Sequence, residues 1–154
     1  MHDARAGRVE ALWLKRAIRG PMDPVHEASL VTEDGIDGDA NRGRSQRQVT
    51  IIEAEVFDRV CDQLPDATPA MRRANIMVRG IALAESRDQV LKLGSVSIRI
   101  RGETRPCERM DEQCDGLRAA LEGGWGGGVY GTVLEGGTVR IGDTASLERP
   151  RLVD

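Results

Sequence analysis

The segment RGETRPCERMD, residues 101–111, sets Cys107 directly after Pro106 and between Arg105 and Arg109. A cysteine kept for packing belongs among apolar neighbours, whereas nearby guanidinium charge favours the thiolate, the form that attacks electrophiles and ligates metals. The residues alone leave a second reading open, an exposed loop thiol whose arginines pair with Glu103, Glu108 or Asp111. Two further concentrations of charge stand out. Arg72, Arg73 and Asn75 crowd the start of an apolar segment, and Arg42, Arg44 and Arg47 follow a glycine- and aspartate-rich loop. Guanidinium forks suit phosphate and carboxylate. If the fold gathers these groups they make an anion pocket; apart, they are solvated charges.

Other chemistries have weaker support. Cys107 and Cys114 are seven positions apart and the histidines are His2 and His26, so no pair has the close spacing of zinc ligands. A Cys–His or Ser–His pair would have to recruit His26, which lies in a strand-like segment. GGWGGGVYG, residues 123–131, contains a formal G-x-G-x-x-G. A dinucleotide fingerprint needs a strand before it and a helix after it; here a helix precedes and strands follow.

The chain has 154 residues, 40% hydrophobic and 31% charged, the profile of one globular domain spanning 1–154. A net charge of -3 and 3% aromatic residues argue against a nucleic-acid binder. No apolar run is long enough to suggest membrane insertion. The start MHDARAGRVEALWLKR is too charged for a secretory signal and three cysteines cannot all pair, so a cytoplasmic location is expected. Nearly all of the 22 basic residues are arginines, the lysines being Lys15 and Lys92.

The elements that must position these groups are mostly strands. Residues 8–16, 25–31 and 49–52 read as extended, and SVSIRIR, residues 95–101, alternates Val96, Ile98 and Ile100 against Ser97, Arg99 and Arg101. Val56, Phe57, Val60, Cys61 and Leu64 recur at helical spacing before Pro65, predicting a helix over 53–64. Met110, Cys114, Leu117 and Leu121 predict another over 112–121. TVLEGGTVRIGD predicts an antiparallel hairpin around Gly136 and Gly137. The fold class expected is mainly β (α+β), a barrel or sandwich with peripheral helices.

In order, GIDGD (35–39), RQVTII (47–52), RRANIMVRGIAL (72–83), LKLGSVSIRI (91–100), the TRPCERMD turn and GGVYGTVLEGGTVRIGD (127–143) resemble a MOSC domain, the module at the C-terminus of molybdenum cofactor sulfurases. The resemblance implies a β-barrel-centred fold and a motif cysteine, here Cys107, that ligates molybdenum. It implies that Arg73 and Asn75 hold the pterin and phosphate end of molybdopterin, with Arg47, Arg72, Thr104 and Arg105 as further cofactor-binding candidates. The reaction it implies is reduction of N-hydroxylated compounds with an external reductase, or handling of the cofactor. The alternative is a metal-free carrier or adaptor whose Cys107 holds a persulfide received from a sulfur donor protein. Whether the chain is a molybdenum-dependent oxidoreductase or a sulfur-transfer component stays open at this level. No pyridoxal-phosphate sulfurase domain is recognised, so electrons or sulfur are expected from a separate protein. One departure is visible: the histidine common shortly after the Gly-Asp of the first motif is replaced by Ala40, Asn41 and Arg42.

The thiols should differ in reactivity. Native-state alkylation mapped by mass spectrometry should label Cys107 before Cys61 and Cys114, which share apolar helical stripes; earlier labelling of either would reverse these roles.

Overall fold

The structure is a computed structural model and describes residues 7–106 and 109–148. The strands are β1 (Gly7–Lys15), β2 (Met22–Val25), β3 (Glu27–Val31), β4 (Gly35–Ile36), β5 (Val49–Glu53), β6 (Ile76–Arg79), β7 (Val90–Leu93), β8 (Val96–Glu103), β9 (Val129–Glu135), β10 (Gly137–Arg140) and β11 (Thr144–Glu148). Seven of them run in the order β11-β7-β8-β9-β5-β6-β1, and the pairing of β1 with β11 closes the sheet into a barrel. Closure leaves no free edge among those strands.

β5 and β6 are parallel, and their crossover carries α1 (Ala54–Gln63) and a 3-10 turn at Pro69–Arg72. That arrangement follows from geometry, since parallel neighbours cannot be joined by a tight turn. β1 is shared along its length: Gly7 and Arg8 pair with β11, while Leu12 to Lys15 pair with β2. Pro24 lies in β2, an edge strand where a missing N–H is tolerated. Register shifts at Val9/Ala11, Ser97/Ile98 and Ile100/Gly102 bend the long strands around the barrel.

Alternation sorts side chains onto two surfaces. Val49, Ile51, Ile76, Val78, Ile98 and Ile100 are all fully buried in the interior cluster. Ile52, Met77 and Trp13 belong to a second, outer cluster, where Val56, Phe57 and Val60 of α1 cover them together with Leu117 and Leu121. The helical period in 53–64 thus encodes a face that docks on the outside of the barrel wall.

Two local expectations are corrected. The second helix breaks into α2 (Arg109–Gln113) and α3 (Leu117–Leu121), with Gly116 at φ 88° between them. Met110, Leu117 and Leu121 nevertheless stay buried, so the apolar period marks the covered face rather than a continuous helix. Cys114 lies in the break and, like Cys61, is only half-buried.

The predicted hairpin at Gly136–Gly137 does not form. β9 pairs with β8 and β5, whereas β10 leaves the barrel and pairs with β3 in a small sheet ordered β10-β3-β4. The glycine pair serves a change of sheet: a Cβ on Gly136 would lie 2.4 Å from the Leu30 carbonyl oxygen, and the Gly136 N–H donates to Thr32 Oγ1 at 2.9 Å.

Arg79 pins three elements together. Its Nε and Nη2 each donate at 2.8 Å to the two carboxylate oxygens of Glu10 on β1, and its Nη1 donates at 2.8 Å to Asp58 on α1. Those bonds hold the Glu10 carboxyl below its ordinary value of 4.5 and the Asp58 carboxyl below 3.8. Depressed folded values give stability that is present above the unfolded value and lost as pH falls towards the folded one. Unfolding free energy should therefore drop as pH falls below 4.5, and Arg79→Met should flatten that slope while costing about 1 kcal/mol or less at neutral pH. Urea titrations across the acid range check this.

Candidate anion-binding site

On the outer wall, near the end where β1 finishes and β5 and β6 begin, lies a pocket of about 180 Å³. Its lining comes from Lys15, Asn41, Arg47, Thr50, Arg72, Arg73, Ala74, Thr104 and Met110. Thr50 reaches it because it faces the same way as Ile52 of the outer cluster, while Val49 and Ile51 point inwards. Among the described lining residues, four side chains are cationic and none is acidic.

Asn75 lies beneath this pocket and does not line it. It is 2% exposed and ties three segments together. Its Nδ2 donates to Asp39 Oδ1 at 2.9 Å and to the Trp13 carbonyl at 3.3 Å, and its Oδ1 accepts from the Thr50 N–H at 3.1 Å. Asp39 is the next link: Oδ1 also accepts from the Lys15 N–H at 2.8 Å, and Oδ2 accepts from the Asn41 N–H at 3.0 Å. The GIDGD loop is thereby fixed to the end of β1, with buried Asn41 presented to the pocket.

The two adjacent arginines do different things. Arg73 caps the 3-10 turn in the left-handed region, φ 62° and ψ 37°, and donates Nη2 to the Gly20 carbonyl at 2.6 Å. A guanidinium has five N–H donors, so this bond leaves capacity for a ligand. Arg72 instead reaches across the pocket, donating Nε to the Gly127 carbonyl at 2.9 Å and Nη2 to the Thr104 carbonyl at 3.2 Å. Thr104 closes the same junction, its hydroxyl donating to Gly127 O and its N–H to Gly128 O. The glycine-rich run therefore packs against the end of β8. A Cβ on Gly127 would lie 2.1 Å from the Thr104 carbonyl oxygen.

Of the charged groups named from sequence, Arg47, Arg72 and Arg73 come together with Thr104. Arg42 turns away and pairs with Asp34 and Asp37. Arg105 is 86% exposed, 3.8 Å from Glu103, and borders a separate hollow with Pro106 and Arg118. Cys107 lies outside the described residues; Thr104 and Met110, three positions before and after it, both line the pocket.

Lys15, Asp39 and Asn41 are missing from the sequence-based set of site residues. The rarity of lysine was the available signal for Lys15, but nothing in the sequence said which end of β1 would meet the arginines. Burial pushes the Lys15 ammonium below its ordinary value; Asp39 opposes this and the charges of Arg73, Arg44 and Arg47 add to it. Among the described residues no cluster of three or more His, Cys, Asp or Glu could hold a metal, and no helix is long and apolar enough to cross a membrane.

The described residues thus form a closed, mostly antiparallel barrel with a cationic pocket on its wall. The MOSC domain profile matches residues 38–146, and the chain belongs to that family, which is linked to molybdenum cofactor binding. The YuaD protein from Bacillus subtilis has the same fold: TM-score 0.81 and 17% identity, covering 95% of this chain and 97% of that one. YiiM from Escherichia coli aligns with TM-score 0.68 and 18% identity over 96% of this chain and 72% of its own. YiiM from Geobacillus stearothermophilus gives TM-score 0.73 and 14% identity over 92% and 74%. No curated protein matches the chain.

The Asn75 junction should govern stability. Asn75→Ala leaves Asp39 and the Thr50 N–H each short of a buried partner and should cost about 2–3 kcal/mol in urea unfolding, while Arg105→Ala should stay within about 0.5 kcal/mol of the parent.

Proposed function

We propose that the chain binds the molybdopterin form of molybdenum cofactor, with its phosphate in the pocket of Lys15, Arg47, Arg72 and Arg73 and with Cys107 as the molybdenum ligand. One observation carries this reading: an acidic chain gathers four cationic side chains around one pocket, and no carboxylate is among the described residues that line it. Arg8, Arg16, Arg42, Arg79, Arg118 and Arg140 all have carboxylate partners. Among the described residues, Lys15, Arg47 and Arg73 have none within ion-pair distance. Like charges held together destabilise the fold, so Lys15, Arg47 and Arg73, without a carboxylate partner among the described residues, favour an anionic ligand.

The residues suit the group. Arg73 and Arg47 offer fixed guanidinium donors to phosphate oxygens, Lys15 adds a partly buried point charge, and the Thr50 hydroxyl lies on the same wall. Arg72 acts by holding the Thr104 carbonyl, three positions before Cys107, to the Gly127 carbonyl of the glycine-rich run. Asn75 acts from below as a positioning residue. A thiolate is a soft ligand of the kind that suits molybdenum, and the cofactor when bound supplies a redox-active metal. Reduction of N-hydroxylated compounds with electrons from a separate protein, or handling of the cofactor, would both begin with this binding step.

Protein produced in a host that makes the cofactor should contain molybdenum and pterin in comparable amounts. Arg73→Ala should lower both more than about tenfold, the loss of a charge-assisted phosphate contact, for a stability cost of about 1 kcal/mol. Cys107→Ser should lose molybdenum before it loses pterin. Parent protein free of both would sink the reading.

A further inference from the structure

Beside the cationic pocket, and sharing Arg47 with it, lies an open shelf of about 650 Å³ formed by Arg44, Ser45, Gln46, Arg47 and Tyr130. The Arg47 guanidinium carbon stands 5.4 Å from the centroid of the Tyr130 ring. Both groups are seated by the scaffold. Tyr130 on β9 is paired with Gly102 on β8, and a Cβ at position 102 would come within 2.8 Å of the phenolic oxygen, so the bare backbone there is what admits the ring. The loop carrying Arg44 and Arg47 is fixed from beneath by Gln48, which is 2% exposed. Its Nε2 donates to the Arg44 carbonyl at 2.8 Å and its Oε1 accepts from the Val133 N–H at 3.0 Å.

Nothing in the anion-pocket reading uses this shelf. Inorganic phosphate or a simple phosphate ester would need neither the stacked ring nor Arg44, which like Arg47 has no carboxylate partner among the described residues. A guanidinium 5.4 Å from a tyrosine ring centroid offers two planar groups side by side against which a heterocycle can stack, since every nucleobase has a π-face and arginine and tyrosine both stack on it. Ser45 and Gln46 on the same loop add donors and acceptors for the edge of a base.

We propose that this shelf receives the base of a nucleoside phosphate whose phosphate takes the adjoining cationic pocket when molybdopterin does not occupy it. The inference rests on the pocket being an anion site and adds a second recognition element, a purine or pyrimidine, to its ligand class. Arg47 is the hinge between the halves, facing phosphate on one side and the stack on the other.

Isothermal titration of the full, cofactor-free chain at low salt should compare adenosine 5′-monophosphate, ribose 5-phosphate and inorganic phosphate. The nucleotide should bind at least about fivefold more tightly than ribose 5-phosphate, the lower end of what stacking one base contributes. Tyr130→Leu should remove that preference and leave ribose 5-phosphate within about twofold of its parent value. Saturation-transfer NMR on the unaltered chain supplies a second readout, with strong transfer expected to the adenine protons. Equal affinity for nucleotide and ribose 5-phosphate, a preference that survives Tyr130→Leu, or no transfer to the base would each overturn the shelf while leaving the anion pocket standing. Failure of all three ligands to bind the parent chain would overturn both.

Discussion

The contact between the Asn75 amide and the Asp39 carboxylate joins everything that matters at the site. Asn75 immediately precedes β6, and its backbone and side chain bond to Trp13 of β1 and Thr50 of β5, so one residue sets the relative heights of three barrel strands. Asp39 extends that control into the loop before β5 by accepting the Lys15 and Asn41 N–H groups. Lys15, Asn41 and Thr50, the residues it holds, are three of the pocket's walls. Few side chains other than an amide could do this, because the position demands a donor towards Asp39 and an acceptor towards Thr50 from one planar group. A carboxylate would put two negative charges side by side in a buried place.

Asp39 also resolves an electrostatic difficulty. A carboxylate close to four cations would be expected to neutralise one of them, yet its oxygens are occupied by three N–H donors and it does not line the pocket. It lowers the cost of gathering positive charge by acting from a distance, as the upward pull on Lys15 shows, without competing for the donors that face outwards. The pocket is therefore positive by construction within a chain of net charge -3. A net charge of this sign gives no long-range attraction for anions, so an anion at the pocket would be held by local, directed donors.

What the sequence disclosed and what it hid follow from the range of the interactions involved. The alternation of SVSIRIR is local and set by the pleat, so β8 and its buried Val96, Ile98 and Ile100 were legible. The period in 53–64 was legible for the same reason, because one face of α1 meets one apolar wall. Gly136 and Gly137 misled because a glycine pair between alternating strands signals a change of direction without saying which strand comes next; Leu30 and Thr32, over a hundred positions earlier, decide that. Asp115 and Gly116 broke a helix whose apolar period continues unchanged across the break, so periodicity alone could not reveal it. At the site, arginine clustering pointed to Arg47, Arg72 and Arg73, but Lys15 and Asn41 arrive through Asp39, and a hydrogen-bonded relay of that kind leaves no periodic trace.

Arg72 and Arg73 show why neighbouring identical residues need not be equivalent. The left-handed backbone at Arg73 ends the 3-10 turn and starts the approach to β6, so the two side chains leave the chain in different settings. One fork bridges the carbonyls of Thr104, just after β8, and Gly127, just before β9, and the other anchors through a single bond to Gly20. Bridging two carbonyls held in different strands' loops uses the fixed angle of the guanidinium, which an ammonium lacks. At position 72 arginine is thus a geometric requirement of the junction between the end of β8 and the glycine-rich run, whereas at position 73 the Gly20 bond uses one of the five guanidinium donors. The left-handed backbone at a non-glycine residue carries a modest strain, and it persists where it sends one guanidinium to the Thr104–Gly127 junction and the next to the pocket wall beside Gly20.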